Sequence, residues 1–186
     1  MDPAVFHLFN SIANRSGLLD AVVVFIAQIM PFFMGAGFLL FIWRAHGWRE
    51  RGHIASGLII SAVIGRGILV ETIRFFYLRP RPFQSLGITP LFTSESPAFP
   101  SGHATLLFAL SFFVFYKNRS WGSWFLAFSI LNVASRVVAG VHWPSDILGG
   151  ILIGAAAFGI THLLLDPHNP KKTAPVSRIS LEKETV

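Results

Sequence analysis

The chain has 186 residues, 15 Lys and Arg against 9 Asp and Glu, a formal net charge of +6 and no cysteine. Hydrophobic residues make up 53% and charged residues 13%, against about a quarter charged in soluble proteins. With a mean hydropathy of +0.59, this balance points to a membrane protein. The absence of cysteine excludes disulfide and thiolate chemistry, and the positive charge forms no basic stripe of the kind that binds nucleic acid.

The length fits one domain, placed at 1–166 and followed by a tail. Met1-Asp2-Pro3 lacks a basic region and a small-residue cleavage site, so the first span is expected to act as its own insertion signal. Residues 3–16 are too short and too mixed to cross a bilayer. They are predicted to form an interfacial helix with Phe6, Leu8, Phe9 and Ile12 toward lipid, or, on a stricter count, part of a sixth span. A membrane helix needs about 20 apolar residues. Ala21–Trp43 qualifies, with Gln28 its only clearly polar side chain and a kink expected at Pro31. The second span, Ile54–Tyr77, carries Arg66, Glu71 and Arg74. The third, Ser101–Tyr116, is short, which would set its start below the membrane surface. The fourth and fifth are Trp121–Ala139 and Ser145–Leu165, and Gly150-x3-Gly154 on the last permits close helix contact, expected within the chain. The predicted fold is therefore an all-α integral membrane bundle of five to six transmembrane helices plus an N-terminal interfacial helix.

Five spans put the loops in two sets. One face holds Arg44, Arg49 and Arg51, then Lys117 and Arg119, then a tail with Lys171, Lys172 and Arg178. The positive-inside rule makes that face cytoplasmic. The tail, 167–186, is rich in Pro and charge and is expected to be disordered. The opposite face would open to the periplasm or outside.

That face collects three segments: Arg74-x6-Arg81-Pro82, Pro100-Ser101-Gly102-His103 and Ser135-Arg136-x5-His142-x3-Asp146. Each has a structural explanation alone. Ser101 is a natural helix N-cap, Asp146 suits the first turn of a helix begun by Pro144, arginines snorkel from helix ends, and His142 fits an interface. Together they read as a phosphate site. Guanidinium groups grip phosphate oxygens in pairs and stay charged. A helix N-terminus binds anions, and Gly102 lets one approach the backbone. Asp146 is spaced to bond one imidazole nitrogen of His142 and leave the other free, and His103 stands near enough to protonate a leaving oxygen.

The tripartite pattern resembles the type 2 phosphatidic acid phosphatase (PAP2) superfamily, whose first motif usually begins with Lys where this chain has Arg74. The short chain and the stretch from Phe6-His7-Leu8-Phe9-Asn10 to Leu18-Leu19-Asp20 are most similar to its bacterial undecaprenyl-diphosphatase branch. The resemblance implies a membrane lipid phosphatase with His142 as nucleophile, Asp146 orienting it and His103 as general acid. Arg74, Arg81, Ser101, Gly102 and Arg136 would hold the phosphate, with no metal or other cofactor. The substrate class it implies is a lipid phosphate or diphosphate, undecaprenyl diphosphate first. The same motifs serve phosphatidylglycerophosphate, phosphatidate and lipid A phosphatases. A phosphotransferase with the same site and a non-catalytic lipid-phosphate transporter are the rival classes.

Three features lie outside the motifs. Arg66 and Glu71 are expected to pair with each other, or Glu71 to orient Arg74 three residues on; the sharper alternative is that they touch a second phosphate or a bound water. Arg79 is expected at the rim. The segment Gln84–Phe99 is too short for a domain and reads as a lid or lipid-guiding flap.

Overall fold

The computed structural model describes residues 2–165; the tail expected to be disordered lies outside them. The described residues form seven helices and no strand. They are α1 (Asp2–Asn10), α2 (Gly17–Arg44), α3 (Trp48–Phe76), α4 (Pro82–Leu86), α5 (Gly102–Lys117), α6 (Arg119–Val138) and α7 (Pro144–Leu165). By length and hydropathy α2, α3 and α7 suffice to cross a membrane. Helix α6 has 20 residues, about 30 Å, and α5, with 16, is as short as its sequence suggests. Their outer faces carry large exposed apolar residues such as Phe32, Leu39, Phe75 and Leu152.

Local sequence explains where the helices begin and end. Ser101 caps α5, accepting from the Ala104 N–H, and Asn118 caps α6, accepting from the Trp121 N–H. Gly140, at φ +82°, takes the left-handed turn that ends α6, and Val141 N–H returns to the Arg136 carbonyl. Helix α2 starts earlier than predicted, and α3 extends back through Arg51 to Trp48.

Helix α5 is the hub, packed against α3, α6 and α7. On α7 the two spaced glycines let it lie directly on α5. A Cβ at Gly150 would sit 2.6 Å from Ala104 Cβ, and one at Gly154 would sit 2.8 Å from the Thr105 carbonyl oxygen. The Gly-x3-Gly pair thus serves packing within the chain, as expected. Hydrogen bonds from Ser61 to Thr161 and between Ser111 and Ser129 tie buried helix faces together.

The N-terminal helix departs from its expected pose. Leu8, Phe9 and Ile12 are exposed, but Phe6 is fully buried, its ring 5.2 Å from that of Trp143. Helix α1 therefore docks on α6 and α7 through the residue expected to meet lipid.

Candidate active site

The three motifs converge at one end of the bundle. The C-terminal end of α3 and the strand-like stretch after it bring Arg74, Arg79 and Arg81, the N-terminus of α5 brings Ser101, Gly102 and His103, and the α6–α7 turn brings Arg136, His142 and Asp146. The fixed spacings have structural causes. Five residues separate Arg136 from His142 because the helix end and the Gly140 turn occupy them. Asp146 lies in the first turn of α7, where its Oδ2 accepts from the N–H of Trp143 at 2.8 Å, one half of a capping box.

His142 is almost wholly buried. Its Nδ1 lies 3.5 Å from Asp146 Oδ2, near but not aligned for a hydrogen bond. Its Nε2 is 3.4 Å from both Ser101 Oγ and Arg81 Nη1. The imidazole is thus turned with Nδ1 to the carboxylate and Nε2 toward a serine at a helix N-terminus and a guanidinium. Burial, then the charges of Arg136, Arg81 and Arg74, push its pKa well below the ordinary value, so the ring is neutral at physiological pH.

The arginines are anchored on backbone carbonyls. Arg74 Nη2 donates to the Pro100 carbonyl at 3.0 Å. Arg81, 2% exposed, donates from Nε to the Ser96 carbonyl at 2.8 Å and from Nη1 to the Val141 carbonyl at 2.6 Å. Burial and the neighbouring Arg74 lower its pKa to about 10, which leaves it charged. Arg136 Nη1 donates to the Ala27 carbonyl at 3.1 Å, and its guanidinium lies over the Phe92 ring at 5.5 Å.

The Ala27 carbonyl is available because of Pro31. In a regular helix it would accept from the N–H four residues on, which proline lacks. Just before Pro31, α2 makes a π turn over Phe25–Ile29. Asn132 Nδ2 donates to the Ile26 and Ala27 carbonyls at 2.7 and 3.2 Å. Asn132 and Arg136, one turn apart on α6, thus fill the gap that the π turn and Pro31 leave in α2.

Two site residues escaped the sequence reading. Arg79 is no rim residue: its Nη1 donates to Asp146 Oδ1 at 2.7 Å and to Ser145 Oγ at 2.6 Å, and its Nη2 to Asp2 Oδ2 at 2.8 Å. Burial opposes its charge, but the bond to Asp2 and the charge of Asp146 raise its pKa. Asp2, from the far end of the chain, accepts from the Ser145 N–H at 3.0 Å and pairs with the Ser145 hydroxyl. Burial works against the Asp2 carboxylate, but these bonds from Ser145 and Arg79 hold its pKa below the ordinary value.

Arg66 and Glu71 form the expected ion pair, and Glu71 also lies 3.7 Å from Arg74. The segment before α5 is held down at several points: Leu91 N–H donates to the Ala139 carbonyl at 3.0 Å and Ala98 N–H to the Arg79 carbonyl at 2.9 Å. With Phe92 to Ser94 it walls a cavity of about 570 Å³ against α2 and α5, where His103 and Arg136 join Phe32, Phe38 and Leu110. A larger apolar cavity, about 740 Å³, lies between α2 and α6 and contains none of the motif residues.

A family model described as the PAP2 superfamily matches residues 55–169. The chain belongs to that superfamily. It is 30% identical over 172 residues to the undecaprenyl-diphosphatase BcrC of Bacillus subtilis, covering 88% of this chain and 86% of the relative. It is 28% identical over 158 residues to the putative undecaprenyl-diphosphatase YbjG of Escherichia coli, covering 81% and 76%. The crystal structure of Aquifex aeolicus LpxE shares the fold with a TM-score of 0.71 at 24% identity, covering 86% of this chain and 93% of that one. This PAP2 protein is an integral membrane hydrolase.

Proposed function

We propose that this protein is a lipid phosphatase that hydrolyses undecaprenyl diphosphate to undecaprenyl phosphate and phosphate. The observation that carries the reading is the pose of His142, neutral and buried, with Nε2 facing Ser101 and Arg81. The relatives named as undecaprenyl-diphosphatases support the substrate. Nε2 attacks the terminal phosphorus, and the phosphorus–oxygen bond to the lipid phosphate breaks as the nitrogen–phosphorus bond forms. His103 protonates the leaving oxygen. Water then attacks the phosphohistidine, gives its proton to His103, and releases phosphate and the free imidazole. Arg74, Arg81 and Arg136 meet the charge of the transferred group, with the Ser101–Gly102 helix start beneath it. Asp146, gripped by Arg79, keeps the ring oriented. The described residues hold no group of three or more His, Asp or Glu side chains placed to bind a metal ion, and guanidinium groups supply the positive charge of the reaction. The cavity walled by His103 and Arg136 receives the lipid side of the substrate.

The proposed setting is the bacterial inner membrane, with the site opening outward and the loops around Arg49 and Lys117 facing the cytoplasm. This fits recycling of a carrier lipid whose phosphate lies on the outer leaflet. The test is phosphate release by purified protein in detergent from undecaprenyl diphosphate, phosphatidylglycerophosphate, phosphatidate and lipid A, with and without chelator. The expected result is greatest kcat/KM on the diphosphate, unaffected by EDTA. Preference for another lipid overturns the substrate, and activity lost in EDTA and restored by a divalent cation overturns the metal-free chemistry.

A further inference from the structure

Arg66 lies outside the three motifs, in the middle of the membrane helix α3 and inside its π turn, Val63–Leu69. A guanidinium at that depth is costly and needs a reason. Its ion pair with Glu71 is a partial one. The two side chains are 41% and 54% exposed, and Glu71 is shared with Arg74. A strut for the core would be buried; this pair is not buried by the protein.

Its position is at the start of α5. A Cβ on Gly102 would fall 2.7 Å from Arg66 Nε, so the missing side chain at 102 is the space that the guanidinium stem uses. His103 follows directly and lines the cavity on the lipid side. The π turn bears on the same placement. In a regular helix the eight residues from Arg66 to Arg74 leave their side chains roughly 80° apart. A π turn absorbs an extra residue and narrows that angle, the kind of irregularity found at functional sites.

The reaction proposed above needs charge in two places. Arg74, Arg81 and Arg136 surround the phosphorus that His142 attacks. The leaving group of a diphosphate is itself a phosphate, and it must lie beside the general acid. We propose that Arg66 is the ligand of that second, lipid-proximal phosphate, and that Glu71 is the counter-ion which this phosphate displaces. Arg66 is then a specificity residue for diphosphates over monophosphates. The inference rests on the phosphatase reading for its substrate.

The test is direct binding, which needs no turnover: calorimetric titration of the purified protein with inorganic pyrophosphate and with inorganic phosphate. Arg66→Gln is expected to lower the pyrophosphate-to-phosphate affinity ratio about tenfold, the loss of one charge-assisted contact. Glu71→Gln is expected to keep or raise that ratio. A ratio unchanged in Arg66→Gln, or lowered alike in both variants together with the unfolding temperature, overturns the proposal in favour of a structural ion pair. If Arg66→Gln does not fold, Arg66→Lys carries the comparison: a loss confined to pyrophosphate supports it, and an equal loss for both anions overturns it. A wild-type protein with an Arg66-dependent ratio that releases no phosphate from undecaprenyl diphosphate would overturn the substrate reading instead.

Discussion

The two oxygens of Asp146 are held by different parts of the chain: Oδ2 by the N–H of Trp143 and Oδ1 by Arg79. The first contact is local, and Pro144, two residues before Asp146, made it legible as a helix start. The second crosses 67 residues, and the Asp2–Ser145 contact crosses 143. No local pattern reports such pairings, and the repeated Arg-Pro of 79–82 hid which arginine does what. In an extended stretch residues two apart share a face, yet Arg79 turns to Asp146 and Arg81 to His142. Arg79→Gln is expected to lower kcat about 10- to 100-fold, the loss of a charged partner, with a smaller effect on KM. Steady-state kinetics of the purified variant check this, and a wild-type kcat would return Arg79 to the rim. His142 also has a pH signature. Its folded pKa lies below the ordinary 6.5, so the unfolded chain takes up the proton first as pH falls through that value. The buried neutral ring therefore costs stability below about pH 6.5 and none above it. An imidazole nitrogen NMR titration, assigned with His142→Gln, should find His142 neutral at pH 6; a protonated ring there contradicts its placement.

At the scale of elements, hydrophobic run length predicted all five long helices, and cap chemistry predicted the start of α5 at Ser101. The starts of α2 and α3 were missed because polar residues such as Asp20, Arg49, Glu50 and Arg51 continue a helix once its backbone bonds are made. The π turns were not legible either. A π turn changes which carbonyls are free without changing the apolar pattern, and Pro31 revealed only that some break occurs. Its consequence is functional: Arg136 and Asn132 take the carbonyls that α2 releases. Pro31→Ala restores an N–H that competes for the Ala27 carbonyl. The expected outcome is turnover lower by about tenfold with no fall in thermal stability, since Ala is the better helix former. A fall in the unfolding temperature with normal kcat would make Pro31 purely structural. Gly150 and Gly154 show the opposite case, where the sequence pattern predicted the packing that is found.

For the whole molecule, the bundle places every motif at one end and the clusters around Arg49 and Lys117 at the other. Charge bias then proposes which end faces outward. In a chain without cysteine, single cysteines are clean reporters. Ser94→Cys should react with an impermeant thiol reagent in intact cells or spheroplasts, and Ser177→Cys should not. The reverse pattern would overturn the orientation and the outer-leaflet substrate with it. The central claim is that His142 carries the phosphoryl group. Rapid quench of purified enzyme with undecaprenyl diphosphate labelled in its terminal phosphate, followed by peptide mapping, tests it most directly. The label should appear as an acid-labile, base-stable phosphohistidine at 142 and vanish in His142→Gln together with turnover. Label on another residue, or turnover that survives His142→Gln, would contradict it.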